Sequence, residues 1–557
     1  MKKKNKKIAF ILNTYAEHSL IDRKFNKFSK IYIFNNYLLS ENIHKKEIYH
    51  DFYDKYKNYE KINQKKNYLC KNWFKSHDFY KKNSKINLVG NLLFSRLHSD
   101  FTNKLRIFLS LKKISKSHKH IYFSSKLPVK FKEIQKNFNN CKEFNSSIIS
   151  PSFLNSIVER STYRWSPIIN KLSKSARLVQ SIIPKKKIEN KTLVFSSPYV
   201  DNFLKKKNDL IFLNRINPYT GYYFNKNVKK NFFFKKKIIN KNELIEITTN
   251  FIKKEKVNID KKIVNIFCNC VVENYYKGIN YFNWSYDVYE ELINYYKPKK
   301  IILPSIISFD YLLINFLAKK NNIKTFVCLD GIETVFNPLN ILFENNKFIY
   351  DKLICYGEAD YKLNLKHNIS KKQLILSKFP FKINKLNSNK NFDFIIMAFQ
   401  PRTYNLESRW DKRYLNSIQV IKLLNNLGYK NIAIKIKPDT KNLDPEIKFL
   451  QKIIYNNNFS CEILTGNITD YIKKTKNIIG GVSTNIWESA SINIPYYIYE
   501  PKNMGLLKEQ INKSILFREK DVCRNLSDLK KNLINKNYFK PNKKIMFNGI
   551  NLEKLKF

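Results

Sequence analysis

The sequence predicts an α/β protein made of two Rossmann-like lobes with an N-terminal extension or insertion. Three observations predict it. Short apolar runs rich in Ile, Val, Phe and Tyr recur along the chain, separated by longer stretches with helical spacing. The alternation becomes regular from about residue 243 and is interrupted by a polar stretch, Lys382 to Asn391, that has the composition of a linker. Beyond that stretch a second strand-helix series follows, and it includes a strand closed by two glycines and a Ser-Thr pair.

Composition narrows the function classes. A chain of 557 residues suits two or three packed domains, and 43% apolar with 15% aromatic residues against 11 glycines and 16 prolines is the balance of a folded protein. The 103 basic and 45 acidic side chains leave a formal charge of +58. Lysine supplies nearly all of it, arginine is scarce, and Asn and Ile are abundant, as an AT-rich coding sequence produces without selection for a ligand. Readers of phosphate and base edges favour the planar fork of Arg, so no specific nucleic-acid partner is expected. Peripheral attraction to an anionic membrane surface is the electrostatic expectation that remains. Among the 8 cysteines, Cys268 and Cys270 lie one residue apart, too close for a CxxC redox or zinc motif, and buried free thiols in a reducing cytoplasm are expected.

The elements follow in order. The start, Met1 to Ala16, with a basic run and then IAFILNTYA, mimics a short signal peptide, but Asn13 and Thr14 break the apolar stretch, so residues 7 to 13 are expected to form a first buried strand. Further strands are read at 31 to 34, 120 to 124 and 193 to 197, with helices at 88 to 113 and 153 to 183. The stretch 200 to 245, rich in Lys, Asn and Phe, reads as irregular. Helices follow at 243 to 256 and 260 to 297, the latter with an aromatic stripe of Tyr275, Tyr276, Tyr281, Phe282 and Trp284 that suits a core or an interface. The apolar run 301 to 318 approaches membrane-spanning length, but Pro304 and Asp310 divide it into a strand and a helix. Strands IKTFVCLDG and DKLICYG complete this series, whose strand ends should face one crevice.

In the second series FDFIIMAF (392 to 399) is a strand, the helix from Tyr414 to Leu427 stops at Gly428, and NIAIKIK (431 to 437) is a strand stopped by Pro438. A helix at 444 to 457, a strand at Glu462 to Leu464, a short helix at 468 to 474, the strand NIIGG, a helix at 484 to 492 and the strand YYIYE finish it. The domain boundaries read from this are 1–240, 241–385, 386–505 and a helical tail, 506–557, that packs back on the first lobe.

The stretch NIIGGVSTNIWESASINIPYYIYEP (477 to 501) carries most chemistry. Gly480 and Gly481 permit close approach of a ligand to the backbone, and Ser483 or Thr484 suits a helix cap whose N–H groups face a phosphate. Glu488, further into the same helix, suits acceptance of hydrogen bonds from a ribose diol. Taken singly, these residues suit a cap, a turn and a surface charge; together they point to ligand binding.

Motif order over residues 300 to 501 resembles the GT-B glycosyltransferases, in particular the capsule and surface-polysaccharide families that include the bacterial Kdo, sialic acid and CDP-glycerol transferases. The matching residues are Asp330-Gly331 for an HG pair, Gly357 closing a strand before the linker, Lys435-Ile436-Lys437-Pro438 for K-x-H-P, and Ser483 or Thr484 with Glu488 for S/T-x-x-x-E. Lys437 stands where the family has His, and Asp330 where it often has His or Gln.

The resemblance implies an inverting, metal-independent transferase that moves a sugar from a nucleotide-sugar donor to a surface-polysaccharide or lipid-linked glycan, in the cytoplasm or at the inner membrane face. It implies that Lys435 or Lys437 neutralises the donor phosphate, although an ammonium acts as a general acid near neutral pH only with a lowered pKa. Asp330 or Glu333 is the candidate base, with Asp330-Gly331 as a plain turn the alternative. Arg402 and Arg409 suit a diphosphate clamp or surface ion pairs with Glu407 or Asp411. His18, His98 and His367 lack ligand spacing, so neither a metal nor another cofactor is expected. The alternatives are a nucleotide-sugar epimerase or polyol-phosphate transferase of the same two-lobed fold, and a non-catalytic basic protein that binds anionic polymer or membrane.

Overall fold

The computed structural model describes residues 8–21, 29–34, 49–53, 59–73, 88–148, 191–195, 204, 210–213, 240–304, 309–329, 331–332, 343–344, 347–380, 391–399, 406, 410–436, 443–466, 468–506 and 508–555. Three all-parallel sheets organise them.

The first sheet contains β1 (Ile8–Leu12), β2 (Ser29–Ile33), β3 (Tyr49–Asp51), β4 (His120–Ser124) and β5 (Cys141–Phe144) in the order β3-β2-β1-β4-β5. β1 is central and buried, with Phe10 beside both Ile31 and Tyr122, so the segment that mimics a signal peptide is a core strand here. The expected N-terminal extension is thus itself a doubly wound α/β unit. Its long helix, Leu88–Ser117, outruns the expected 88 to 113 and packs against the helix Lys261–Tyr296 of the next unit. Lys104, buried on the first helix, ties the two together with its Nζ 3.0 Å from Glu273, while Lys104 to Glu133 at 2.9 Å and the buried pair Lys130 to Asp100 at 2.7 Å join that helix to the short helix Val129–Gln135 of its own unit.

The second sheet contains β6 (Thr192–Phe195), β7 (Leu210–Leu213), β8 (Lys300–Leu303), β9 (Lys324–Cys328), β12 (Lys352–Tyr356) and β13 (Leu374–Ser377), ordered β13-β12-β9-β8-β6-β7. A separate two-stranded hairpin joins β10 (Phe343–Glu344) and β11 (Lys347–Phe348). β7 lies inside the stretch read as irregular: LIFL is too short and too closely flanked by Lys and Asn to stand out, and pairing with β6 makes it a strand. The second sheet therefore draws strands from both sides of residue 240. The expected helix at 153 to 183 and the linker core at 381 to 390 lie outside the described residues.

Helix ends follow capping chemistry. Asn240 accepts from Glu243 N at 2.8 Å and Asp260 from Lys262 N at 2.9 Å, and the helix Lys261–Tyr296 ends on Lys297 in the left-handed region. Tyr275 of the aromatic stripe is buried against Tyr276, with ring centroids 5.7 Å apart; the side chains of Tyr281, Phe282 and Trp284 lie outside the described residues. Pro304 separates β8 from the helix Phe309–Lys320, and among the described residues no helix is long and apolar enough to cross a membrane. All 8 cysteines are free thiols, and Cys268 and Cys270 are buried.

The third sheet contains β14 (Phe392–Met397), β15 (Ile432–Lys435), β16 (Glu462–Leu464), β17 (Thr475–Gly480), β18 (Tyr496–Tyr499) and β19 (Val522–Cys523), ordered β16-β15-β14-β17-β18-β19. Its strands are apolar almost throughout because helices or turns cover both faces. The tail turns back onto the second sheet. Lys378 N donates to Ile550 O at 2.8 Å, and Glu358 N donates to Asn548 Oδ1 at 2.8 Å. Gly357 closes β12 with φ +87°, and a Cβ there would stand 2.1 Å from Met546 O, so the tail's backbone accounts for the glycine.

Candidate functional site

Counted from its first strand, the third sheet runs 3-2-1-4-5-6, the doubly wound order in which a crevice opens beyond the carboxyl ends of strands 1 and 4. Here those strands are β14 and β17. Ile396 pairs with Ile479, and one step on, a Cβ at Gly480 would lie 3.0 Å from Met397 Cβ, so Met397 and Gly480 stand side by side at the crevice.

The turn after Gly480 is built from internal contacts. Tyr496 Oη donates to Gly481 O at 2.7 Å, and a Cβ at Gly480 would meet that Oη at 2.3 Å. Glu500, buried at the end of β18, accepts from Val482 N at 2.8 Å, and a Cβ at Gly481 would meet its Oε2 at 2.5 Å. The two glycines thus make room for a tyrosine hydroxyl and a carboxylate of the chain itself.

The expected Ser-Thr cap is corrected by the geometry. The helix is Asn485–Ser491, and Thr484 at its N-cap has helical φ and ψ and makes no side-chain cap bond. Its Oγ1 instead accepts from Ile332 N at 3.0 Å, across to the second sheet's β9 connection. Ser483 Oγ donates to Asn485 Oδ1 at 3.0 Å, and Asn485 Nδ2 donates to Glu488 Oε2 at 2.5 Å. Glu488 is only 2% exposed, which removes the reading of a solvated surface charge. Among the described residues, the N–H groups of Ser483, Thr484 and Asn485 have no partner, and they form three successive donors.

Charge in this cluster is mostly negative. Burial pushes the Tyr496 phenol up, and the neighbouring Glu500 and Glu488 carboxylates add to the rise, so the hydroxyl stays a donor. Lys435 is the nearby cation of the sequence reading. It ends β15 in register with Met397, which puts it two strand spacings from Gly480, roughly 10 Å. Its Nζ donates to Ile436 O at 2.6 Å, and burial lowers its pKa while Asp470 opposes the shift.

Of the expected site residues, Gly480, Gly481, Ser483, Thr484 and Glu488 come together and Lys435 lies on the same sheet edge. Asp330, Glu333, Lys437, Arg402 and Arg409 lie outside the described residues. Sequence reading missed Tyr496, Glu500 and Ile332. Glu500 had a signal, an acidic residue closing an apolar strand at its carboxyl end. The Ile332 contact had none, because a backbone N–H carries no sequence mark. Among the described residues, no group of three or more His, Cys, Asp or Glu is arranged to hold a metal ion.

No family model matches the chain. It is 25% identical over 272 residues to the histidinol-phosphate aminotransferase of Buchnera aphidicola subsp. Cinara cedri (strain Cc), a match covering 46% of this chain and 66% of that enzyme, just under two thirds of its length. Among solved structures it is similar to the UDP-GlcNAc 2-epimerase of Methanocaldococcus jannaschii in complex with UDP-GlcNAc and UDP, at 12% identity and a TM-score of 0.37 over 65% of this chain and 96% of that one. The Neisseria meningitidis UDP-GlcNAc 2-epimerase bound to UDP-GlcNAc gives 11% and 0.34 over 66% and 97%. The wall teichoic acid polymerase TagF gives 12% and 0.31 over 61% and 78%. Superpositions this loose carry no residue of those enzymes onto a residue here.

Proposed function

We propose that the chain is a nucleotide-sugar-dependent glycosyltransferase, metal independent and inverting, that extends a surface polysaccharide or lipid-linked glycan at the cytoplasmic membrane face. The observation that carries the reading is the 3.0 Å bond from Ile332 N to Thr484 Oγ1. It joins the carboxyl end of β9 to the carboxyl end of β17, so two parallel sheets meet at the edges where doubly wound folds take ligands. A donor held on one edge then faces an acceptor held by the other.

In this reading the nucleotide-sugar lies over Met397 and Gly480, with its diphosphate toward the N–H groups of Ser483 to Asn485. Glu488 accepts from the ribose hydroxyls. Lys435, with Lys437, Arg402 and Arg409 from the sequence, offsets the charge that grows on the leaving nucleotide. The acceptor oxygen attacks the anomeric carbon as the bond from that carbon to the phosphate oxygen breaks. The acceptor proton passes to Asp330 or Glu333, and the nucleotide leaves with the bonding electron pair.

Incubation with UDP-, GDP-, CMP- and CDP-linked donors, followed by mass spectrometry, tests this. Free nucleotide formed only when a glycan acceptor is present, undiminished by EDTA and lost in Glu488→Gln, supports the proposal. An isomeric nucleotide-sugar formed without acceptor would identify an epimerase instead, and a glycerol-phosphate product a polyol-phosphate transferase.

A further inference from the structure

The N-terminal unit also has a doubly wound order, 3-2-1-4-5, with its crevice between β1 and β4. Four polar residues meet there, all buried: Asn13, Thr14 and Glu17 after β1, and Ser124 at the end of β4. Glu17 Oε2 accepts from Asn13 N at 2.6 Å and from Thr14 N at 3.4 Å. Its Oε1 accepts from Ser124 Oγ at 2.6 Å. Asn13 Nδ2 donates to Lys126 O at 3.1 Å, and Lys126 N donates to Ser124 Oγ at 3.1 Å, which closes the ring of bonds.

A glutamate that only caps its own turn would take the N–H of Thr14. Glu17 goes further: its shorter contact is one residue earlier, and its other oxygen crosses to the neighbouring strand. The donors that doubly wound sheets offer to a ligand anion are thus turned onto a carboxylate of the chain. The contrast with the third sheet is direct. There Glu500 takes the N–H of Val482, and three further N–H groups remain without a partner among the described residues.

We propose that Glu17 is a built-in anion that fills the ligand crevice of the N-terminal unit, so this unit takes no nucleotide and serves the chain as a scaffold. The inference stands on the β1–β4 geometry alone and does not depend on the transferase reading.

The test is thermal unfolding of the full chain and of Glu17→Ala and Glu17→Gln, each in chloride and in inorganic phosphate. The Ala variant should melt lower than the wild type in chloride and regain part of the difference in phosphate, with a wild-type phosphate shift smaller than the variant's. Equal phosphate shifts in both proteins would overturn the proposal. If the Ala variant does not fold, the Gln variant decides. Gln keeps the shape but loses the charge and one of the two accepting oxygens, so its melting temperature should fall, and a melting temperature equal to the wild type's would overturn the proposal.

Discussion

Removing the Thr484 hydroxyl is the sharpest perturbation of the cleft. Thr484→Val keeps nearly the same shape, so the space facing Gly331, where a Cβ would stand 3.1 Å from Oγ1, gains no new atom. What is lost is the acceptor for Ile332 N, whose residue is 7% exposed. A buried N–H left unpaired costs about 1–3 kcal/mol, and a value near ~2 kcal/mol corresponds to roughly 30-fold in the opening equilibrium. Hydrogen exchange followed by mass spectrometry on a peptide spanning 326–332 reads that number directly, since exchange of a transiently opened amide scales with its open population. Exchange at Ile332 should accelerate by roughly 10- to 100-fold in the Val variant and by only a few-fold in Thr484→Ser, which keeps the hydroxyl. An unchanged rate at Ile332 in the Val variant would refute the argument that this bond holds the two sheet edges together.

Gly480→Ala drives a Cβ to 2.3 Å from Tyr496 Oη, and overpacking of this kind costs about 1–3 kcal/mol. The melting temperature should drop, and adding Tyr496→Phe should recover part of the loss; strict additivity of the two changes would contradict the contact. Burial pushes the Asp360 carboxyl up to about 7, against hydrogen bonds from Tyr356 N and Asn364 that lower it. Its folded pKa exceeds the unfolded value of 3.8, so the folded chain keeps a proton the unfolded chain releases, and stability falls as pH rises from about 4 through 7. Over about three units the ceiling is ~4 kcal/mol; Asp360→Asn should flatten the decline of melting temperature between pH 5 and 8, and an identical slope would contradict it. Arg106 Nε donates to Leu406 O at 2.8 Å between the N-terminal unit and the third sheet's β14 connection. Arg106→Met should therefore cost about 1–3 kcal/mol, seen as a lower midpoint in urea, whereas an unchanged midpoint would mean the bond is idle.

The α/β class was legible because buried parallel strands must be apolar on both faces, so runs such as IAFIL, KIIL and TKNIIG stand out from the helical spacing between them. β7 was not legible, since its four residues become a strand only through pairing with β6, a contact between separate segments. Nor was β3, whose three residues become a strand only beside β2, so the N-terminal strands at 7 to 13, 31 to 34 and 120 to 124 were legible but their closure into a separate doubly wound sheet was not. At the candidate site, the Gly-Gly turn and the helix carrying Glu488 were readable from residue type and spacing, but the burial of Glu488 was not. The partner of each group was not. Thr484 reads as a cap from sequence, but its hydroxyl serves an N–H 152 positions away, and the glycines read as ligand clearance although Tyr496 and Glu500 fill the space. Local chemistry names the donors and acceptors, and the tertiary fold decides which of them meet.

The central claim is that a nucleotide binds at the crevice between β14 and β17. It is tested most directly by hydrogen exchange of the wild-type chain with and without CMP, CDP, UDP and GDP, with Glu488→Gln alongside. The account predicts that one nucleotide slows exchange across residues 480 to 488, leaves residues 13 to 17 unchanged, and loses its effect in the variant. Protection confined to another part of the chain, or equal protection in the variant, would contradict it.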